Sequence, residues 1–377
     1  MKKVALIPGS FDPPTRAHAQ IWKELAPLFW LVIGIGQNVS KPNALFRPET
    51  RKTLIERVLK DLSISADVLI YEDLIDECAK RVGADVVIRG LRGIEDLSSE
   101  TAIQDYLDRR GGPPTLYKTA PAELRTCSST FVRGLLPFAG ESADRDLEVL
   151  LPRAVYRCVC RQLPLMRAWF LSLWKDLDAV GDPHVVFEDL LLRYSDGVRE
   201  YHTLTHVQWG LARLEDMRRE LGNTCGIDWQ IVKFAYWFHD AIMDRSTDNE
   251  ERSAELAKTV ALKAGIAHMR ALHAADLIRS TAHRTFPSEP DAAALVDADL
   301  SILGASSEAF DRYEHQVREE WSDVPEELFR KLRSDILTKF LERPTIYTSM
   351  YGQTHWESEA YANLERSIAR LQCGVLP

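Results

Sequence analysis

The sequence predicts an α/β unit built on a parallel sheet, with helices on both faces, followed by an all-α unit. Three observations carry this reading. Short apolar runs alternate with helical patterns up to about residue 136, and long helical patterns without strand signals run on from about residue 165. The chain of 377 residues also exceeds the size at which one hydrophobic core usually stops growing. The break falls between residues 137 and 165, where PFAGESAD reads as loop and the segment from Leu151 to Leu163 suits either side. We place the units at 1–150 and 165–377.

The strand candidates are Val4 to Ile7, Trp30 to Ile35, Asp67 to Tyr71, Asp85 to Ile88 and Thr115 to Lys118. Each is short, apolar and bounded by Gly, Pro or charged residues. Between them lie helical stretches: Ile21, Trp22, Leu25 and Leu28 recur at helical spacing, and further patterns cover 48–61, 73–82 and 128–136. A βαβ rhythm of this kind builds a parallel sheet whose ligands bind at the carboxyl ends of the strands. The second half reads as helix throughout, in stretches such as VQWGLARLEDMRREL and EERSAELAKTVALKAGI.

Composition narrows the function. With 45% hydrophobic and 27% charged residues the chain is ordinary for a globular protein, and a formal net charge of −9 argues against broad binding to nucleic acid or anionic membranes. The six cysteines show no CxxC pairing, which fits reduced thiols in a cytoplasm. The start MKKVALIPGS is too short in apolar residues for a signal peptide, and no later window approaches the roughly 18 apolar residues of a membrane span. A soluble, cytoplasmic protein is expected, and a homo-oligomer is left open.

The first strand ends in GSFDPPTRAHAQ, a sharp turn that leads into a helix. Gly lets a phosphate approach the backbone, and free N–H groups at a helix start attract its charge. His18 lies in the first turn of that helix. Polar groups suited to phosphate gather at other strand ends: Gly9 and Ser10 after the first, Lys41 and Arg47 after the second, Arg89 and Arg92 after the fourth, and Thr126, Ser128 and Ser129 after the fifth.

These residues carry a resemblance. Over roughly residues 3 to 136 the chain resembles phosphopantetheine adenylyltransferase, of the HxGH-type nucleotidyltransferases. GSFDPPTRAH matches the form G-[TS]-F-D-P-x-T-x-G-H except that Ala17 replaces the second Gly, RGLR at 89–92 matches R-G-L-R, Asp96 and Glu100 keep the downstream acidic spacing, and CSST resembles I-S-S-S. The resemblance implies a Rossmann-like fold and transfer of an adenylyl group from ATP, with Mg²⁺, to a small phosphorylated acceptor such as 4′-phosphopantetheine, a step of coenzyme A biosynthesis. It implies His18, Lys41 and Arg92 as catalytic groups. Gly9, Ser10, Phe11, Arg89, Gly90, Glu100, Ser128 and Ser129 are then the nucleotide- and acceptor-binding set. The Ala17 methyl stands where close nucleotide approach favours Gly. A weakly active nucleotide sensor that regulates the second half, or a different acceptor such as nicotinate mononucleotide, is the alternative.

In the second half KFAYWFHDAIMD sets His239 and Asp240 at the end of an apolar run, where a buried carboxylate is costly unless paired or bound to metal. His206 precedes them in YHTLTHVQWG, and Asp297 and Asp299 follow in LVDADLSILG. Such groups from three helices suit a divalent metal. From about residue 166 to 370 this H…HD…D pattern resembles a predicted metal-dependent HD-type phosphohydrolase family, with YHTLTH, WFHD, NEERSA, IRSTAH and DADLSILG in the family's order. The resemblance implies that His206, His239, Asp240 and Asp299 bind Mn²⁺, Mg²⁺ or a similar ion. It also implies hydrolysis of a small phosphoester or nucleotide. His202, Glu250 and His283 are candidates to bind phosphate, to move a proton or to hold a second metal.

Overall fold

The computed structural model describes residues 2–37, 44–91, 108–138, 141–159, 163–222, 226–246 and 248–376. They form two compact units, Met1–Pro164 and Leu165–Pro377, each described by itself.

The first unit is built on a five-stranded parallel sheet in the order β3-β2-β1-β4-β5, with β1 Lys3–Gly9, β2 Phe29–Gly36, β3 Ala66–Tyr71, β4 Val86–Leu91 and β5 Thr115–Thr119. Ala5, Leu6 and Ile7 of β1 and Leu31, Val32 and Ile33 of β2 are all buried, so these strands read as unbroken apolar runs rather than as alternating ones. Leu6, Val32 and Val87 pack with Tyr71, Cys78 and Ala79 into a core cluster. The helices are α1 Arg16–Leu25, α2 Pro48–Asp61, α3 Ile75–Arg81, α4 Ser129–Leu135, α5 Glu141–Leu150 and α6 Arg153–Tyr156. Helix α1 buries Ala17, Ala19, Ile21, Trp22 and Leu25, and α2 opens on Pro48, whose missing N–H costs nothing at a helix start.

One boundary differs from the sequence reading, and a segment that suited either side joins the first unit. Strand β4 runs on to Leu91, so Arg89 and Gly90 lie inside it rather than after it, because their backbone continues the ladder to Tyr117 and Lys118 of β5. The segment around Leu151 is fastened to the first unit: Arg16 donates to the carbonyls of Leu151 (3.0 Å) and Glu148 (2.9 Å).

The second unit is helical: α7 Leu163–Asp176, α8 Pro183–Tyr194, α9 Leu204–Leu221, α10 Trp229–Phe238, α11 Asn249–Lys263, α12 His268–Ser280, α13 Pro290–Leu300, α14 Ser307–Glu320, α15 Glu326–Leu341, α16 Met350–His355 and α17 Glu357–Gln372. Helix α10 is apolar around almost its whole circumference and buries Trp229, Ile231, Val232, Phe234, Ala235, Tyr236, Trp237 and Phe238, which makes it the central helix. Gly210 of α9 lets it approach: a Cβ there would sit 1.9 Å from the Tyr236 Oη. Among the described residues, no helix is long and apolar enough to cross a membrane.

Candidate functional site

At the carboxyl end of β1 the chain turns sharply through residues 10–15, and several side chains pin that turn. Asp12 is buried and accepts the N–H groups of Leu45 (2.8 Å) and Phe46 (2.9 Å). Arg51 of α2 donates to the Ser10 carbonyl at 2.7 Å, and Arg133 of α4 donates to the Asp12 carbonyl. Ser129 donates its hydroxyl to the Pro13 carbonyl at 2.8 Å, while Ser128 caps α4 by accepting the Phe131 N–H at 3.1 Å. Ser128 and Ser129 of the CSST stretch thereby also hold the loop and start the helix. Phe11 takes a left-handed backbone (φ 46°) and lays its ring over Gly9, where a Cβ would meet the ring at 2.6 Å. Gly9 is the residue that admits this packing.

His18 stands at the first turn of α1. Its Nδ1 accepts the Thr15 backbone N–H at 3.0 Å, so in the neutral ring the proton sits on Nε2. The ring stacks on Trp22 with centroids 6.2 Å apart and meets Phe11 edge-on at 5.0 Å. Together Ile7, Pro8, Gly9, Phe11, His18, Ile21, Trp22, Arg89 and Gly90 line a cavity of about 170 Å³. The structure thus brings together five residues singled out from sequence, Gly9, Phe11, His18, Arg89 and Gly90. Ser10 is exposed beside them. Lys41, Arg92, Asp96 and Glu100 lie outside the described residues. Ala17 is buried and does not line the cavity. Trp22 and Thr15 were not singled out from the sequence; a Thr three residues before the His at a helix start is the capping-box spacing that points to Thr15.

In the second unit His206 of α9, His239 and Asp240 at the end of α10, and Asp299 of α13 converge. The His206 and His239 Nε2 atoms are 3.0 Å apart. Asp240 Oδ2 is 3.0 Å from His239 Nε2 and 3.5 Å from His206 Nε2, and Asp299 Oδ1 is 3.2 Å from His206 Nε2 and 3.4 Å from His239 Nε2. His239 donates Nδ1–H to the Tyr236 carbonyl at 2.8 Å, and His206 Nδ1 meets the Tyr201 hydroxyl at 3.1 Å, which leaves both Nε2 atoms to face the carboxylates. Asp297 sits elsewhere: fully buried, it accepts the N–H groups of Thr348 (2.9 Å) and Ser349 (2.6 Å) and so closes the turn before α16. Two residues along a helix point to different faces, which separates Asp297 from Asp299.

The charges of the cluster shift one another. Burial opposes the His239 cation, yet Asp240 and Asp299 outweigh it and raise its pKa well above the ordinary histidine value. Burial lowers that of His206. Both carboxylates are held below the usual range, against burial, chiefly by His239.

His202 flanks the cluster, with its ring 5.7 Å from that of His206, and its Nδ1 lies 2.7 Å from Glu320 Oε2. Its pKa is raised: burial opposes the cation, and the Glu320 hydrogen bond together with the charges of Asp240, Glu320 and Asp299 outweighs that. His283, in a left-handed backbone (φ 53°), brings Nε2 within 3.4 Å of Asp299 Oδ2. Glu250 lies half-buried in the first turn of α11, and among the described residues no hydrogen bond or ion pair joins it to the cluster. Arg199 was missed in the sequence; it is buried and donates to the carbonyls of His202 (3.0 Å), Asp240 (2.8 Å) and Ala241 (3.3 Å), tying the two histidine segments together.

The donor set suits a divalent cation. A metal held at about 2.1 Å by tetrahedral ligands keeps those atoms about 3.4 Å apart, close to the spacings here, and two imidazoles with two carboxylates are ordinary ligands for such an ion. The ligand atoms of His206, His239 and Asp240 all lie within 4.8 Å of one another.

Comparison with known proteins bears on the first unit. A cytidylyltransferase-like family pattern matches residues 6–134. The phosphopantetheine adenylyltransferase of Flavobacterium psychrophilum is 38% identical over 152 residues, which are 40% of this chain and 96% of that protein. That of Flavobacterium johnsoniae is 38% identical over 152 residues, 40% of this chain and 95% of that protein. The Vesicomyosocius okutanii enzyme of the same name is 32% identical over 158 residues, 41% of this chain and 95% of its own length. A parallel sheet, a glycine-floored cavity at its carboxyl edge and near-full-length identity to these relatives agree: through its first unit, this chain belongs to the phosphopantetheine adenylyltransferase family.

Proposed function

We propose that the first unit transfers the adenylyl group of ATP to the phosphate of a 4′-phosphopantetheine-type acceptor. An acceptor oxygen bonds to the α-phosphorus, the bond to the bridging oxygen breaks, and pyrophosphate leaves. The observation that carries this is the 38% identity over nearly the whole length of enzymes with that name, joined to a cavity that His18 and Arg89 both line. His18 supplies Nε2–H to the charge that grows on the phosphate oxygens, since Nδ1 is engaged by Thr15. Arg89 neutralises phosphate charge, and Mg²⁺ accompanies ATP. The test is pyrophosphate release from ATP and Mg²⁺ by the full chain, with 4′-phosphopantetheine and with nicotinate mononucleotide as acceptors. Release with the first supports the proposal; release only with the second changes the acceptor. ATP binding without release makes the unit a sensor.

For the second unit we propose hydrolysis of a small phosphoester or nucleotide in the manner of HD-type phosphohydrolases. The convergence of His206, His239, Asp240 and Asp299 supports it. A bound Mn²⁺ or Mg²⁺ supplies an activated water and neutralises phosphate charge. The chain itself fixes the ligand imidazoles through the Tyr236 carbonyl and the Tyr201 hydroxyl, and it sets His202 and His283 at the edge of the site. Glu250 has no part in this proposal. Hydrolysis of p-nitrophenyl phosphate and a nucleotide panel with added Mn²⁺ tests it, and absence of all turnover rejects it.

A further inference from the structure

We infer that Glu320 is a positioning residue, one that holds the His202 ring with its Nδ1 proton on the buried side and its Nε2 edge toward the four converging ligands. Glu320 is the last residue of α14, and its carboxyl group is completely buried. Oε1 accepts three consecutive backbone N–H groups, from Glu200 (2.8 Å), Tyr201 (2.9 Å) and His202 (2.9 Å). Oε2 lies 2.7 Å from His202 Nδ1. One side chain, distant in sequence, therefore fixes both the backbone that carries His202 and the rotation of its ring.

The chemistry of the pair is directional. An ionised carboxylate has only acceptor sites, so Nδ1 must carry the proton. Nε2 is then the atom left for other partners, on a ring 5.7 Å from that of His206. Accessibility supports a ligand-facing role: the His202 side chain is 28% exposed, whereas His206 is 2% and His239 1% exposed. The two buried histidines are closed off from solvent, while His202 is the one of the three open to it. The inferred effect on turnover rests on the hydrolase reading above, but the ring geometry does not.

The test combines a readout of the proton with one of turnover. Full-length protein with ¹⁵N in its histidine rings is examined by long-range ¹H–¹⁵N correlation, and His202 is assigned by the signals lost in His202→Gln. Protonated Nδ1 is expected in the wild type. Glu320→Gln keeps an oxygen for the three N–H groups but turns an NH₂ toward His202, so the Nδ1 proton should be lost. With added Mn²⁺, E320Q should lower kcat for p-nitrophenyl phosphate about 10-fold or more while keeping its metal, in the range typical of outer ligand-supporting groups. The double variant with H202Q should be no slower than H202Q alone. An unprotonated Nδ1 in the wild type, a proton unmoved in E320Q, or losses that simply multiply would each overturn the inference. If the wild type hydrolyses nothing, the hydrolase reading fails, and the wild-type spectrum, which needs no variant to fold, still decides the positioning.

Discussion

The Nε2 atoms of His206 and His239 lie 3.0 Å apart, each with its Nδ1 already engaged. Two lone pairs at that distance repel unless a cation or a shared proton lies between them. A proton on His239 meets that need in the metal-free protein, and a cation that displaces it gains Asp240 and Asp299 as further ligands, so the protein is expected to bind about one Mn²⁺ per chain, measured by elemental analysis and calorimetry. Asp240→Ala should weaken binding by more than the roughly 10–100-fold that loss of an outer supporting group costs. At a free Mn²⁺ concentration 100 times Kd, the wild-type second unit should gain about 2.7 kcal/mol against unfolding, and the variant at that same concentration much less.

His18→Ala should slow adenylyl transfer by on the order of 10²-fold or more, because one preorganised donor to a developing charge is removed. Thr15→Val separates that effect from general damage to the loop. It keeps the backbone N–H that engages His18 Nδ1 and removes the hydroxyl, which bonds the Cys127 carbonyl at 3.2 Å and lies 3.0 Å from His18 Nδ1. The expected result is a loss of about 1 kcal/mol in stability with much smaller loss of rate. Pyrophosphate release and thermal unfolding of both variants check the contrast.

The contrast between Thr15 and Glu320 shows what the sequence could disclose. The central strands β1, β2 and β4 were legible because both faces of the sheet are covered there, so they carry buried residues at successive positions, while the edge strands β3 and β5 were legible as short runs without that burial. The meeting of His239 and Asp240 with His206 was legible because charge at the end of an apolar helix needs a partner. Thr15 was within reach through its capping spacing. Glu320 was not: it occurs in a charged stretch, REEW, that reads as a solvated helix face, and only the return of α14 to residues 200–202 buries it. Arg199 was hidden for the same reason, since its partners at 240 and 241 are brought to it by tertiary packing.

Tyr236 carries a buried hydroxyl with no hydrogen-bond partner among the described residues, pressed against Gly210. Tyr236→Phe should stabilise the second unit by about 1–3 kcal/mol, the usual cost of an unsatisfied buried polar group. Gly210→Ala should do the opposite, since its methyl would fall 1.9 Å from Oη and 2.0 Å from Cζ. Overpacking of this kind costs about 1–3 kcal/mol or more. The Tyr236 ring also lies 4.5 Å from the His239 ring, so G210A should weaken Mn²⁺ binding as well. Denaturant unfolding and metal titration read both effects, and a neutral G210A would contradict the packing described.

Glu215 provides the pH-dependent case. Arg218 bonds both carboxylate oxygens, at 2.7 and 3.0 Å, and Lys233 shares the second at 2.7 Å; together, Arg218 first, they depress its pKa from 4.5 to about 2. A carboxyl group whose folded pKa is depressed contributes stability that is complete above its unfolded value and is lost as pH falls through the folded one. The window therefore runs from about 4.5 down to about 2. Glu215→Gln removes the charge at every pH. At pH 7 it should cost on the order of 1 kcal/mol, since the side chain is 27% exposed and solvent screens the pair. For a unit of this size that lowers Tm by about 2–4 °C. As pH falls through the window the wild type loses the same interaction, so the two melting curves should converge. Other carboxylates also titrate there, but they do so in both proteins, and the difference isolates Glu215. Added salt should narrow the gap at pH 7. A gap that stays constant from pH 7 to pH 2 would mean that Glu215 acts through packing rather than charge.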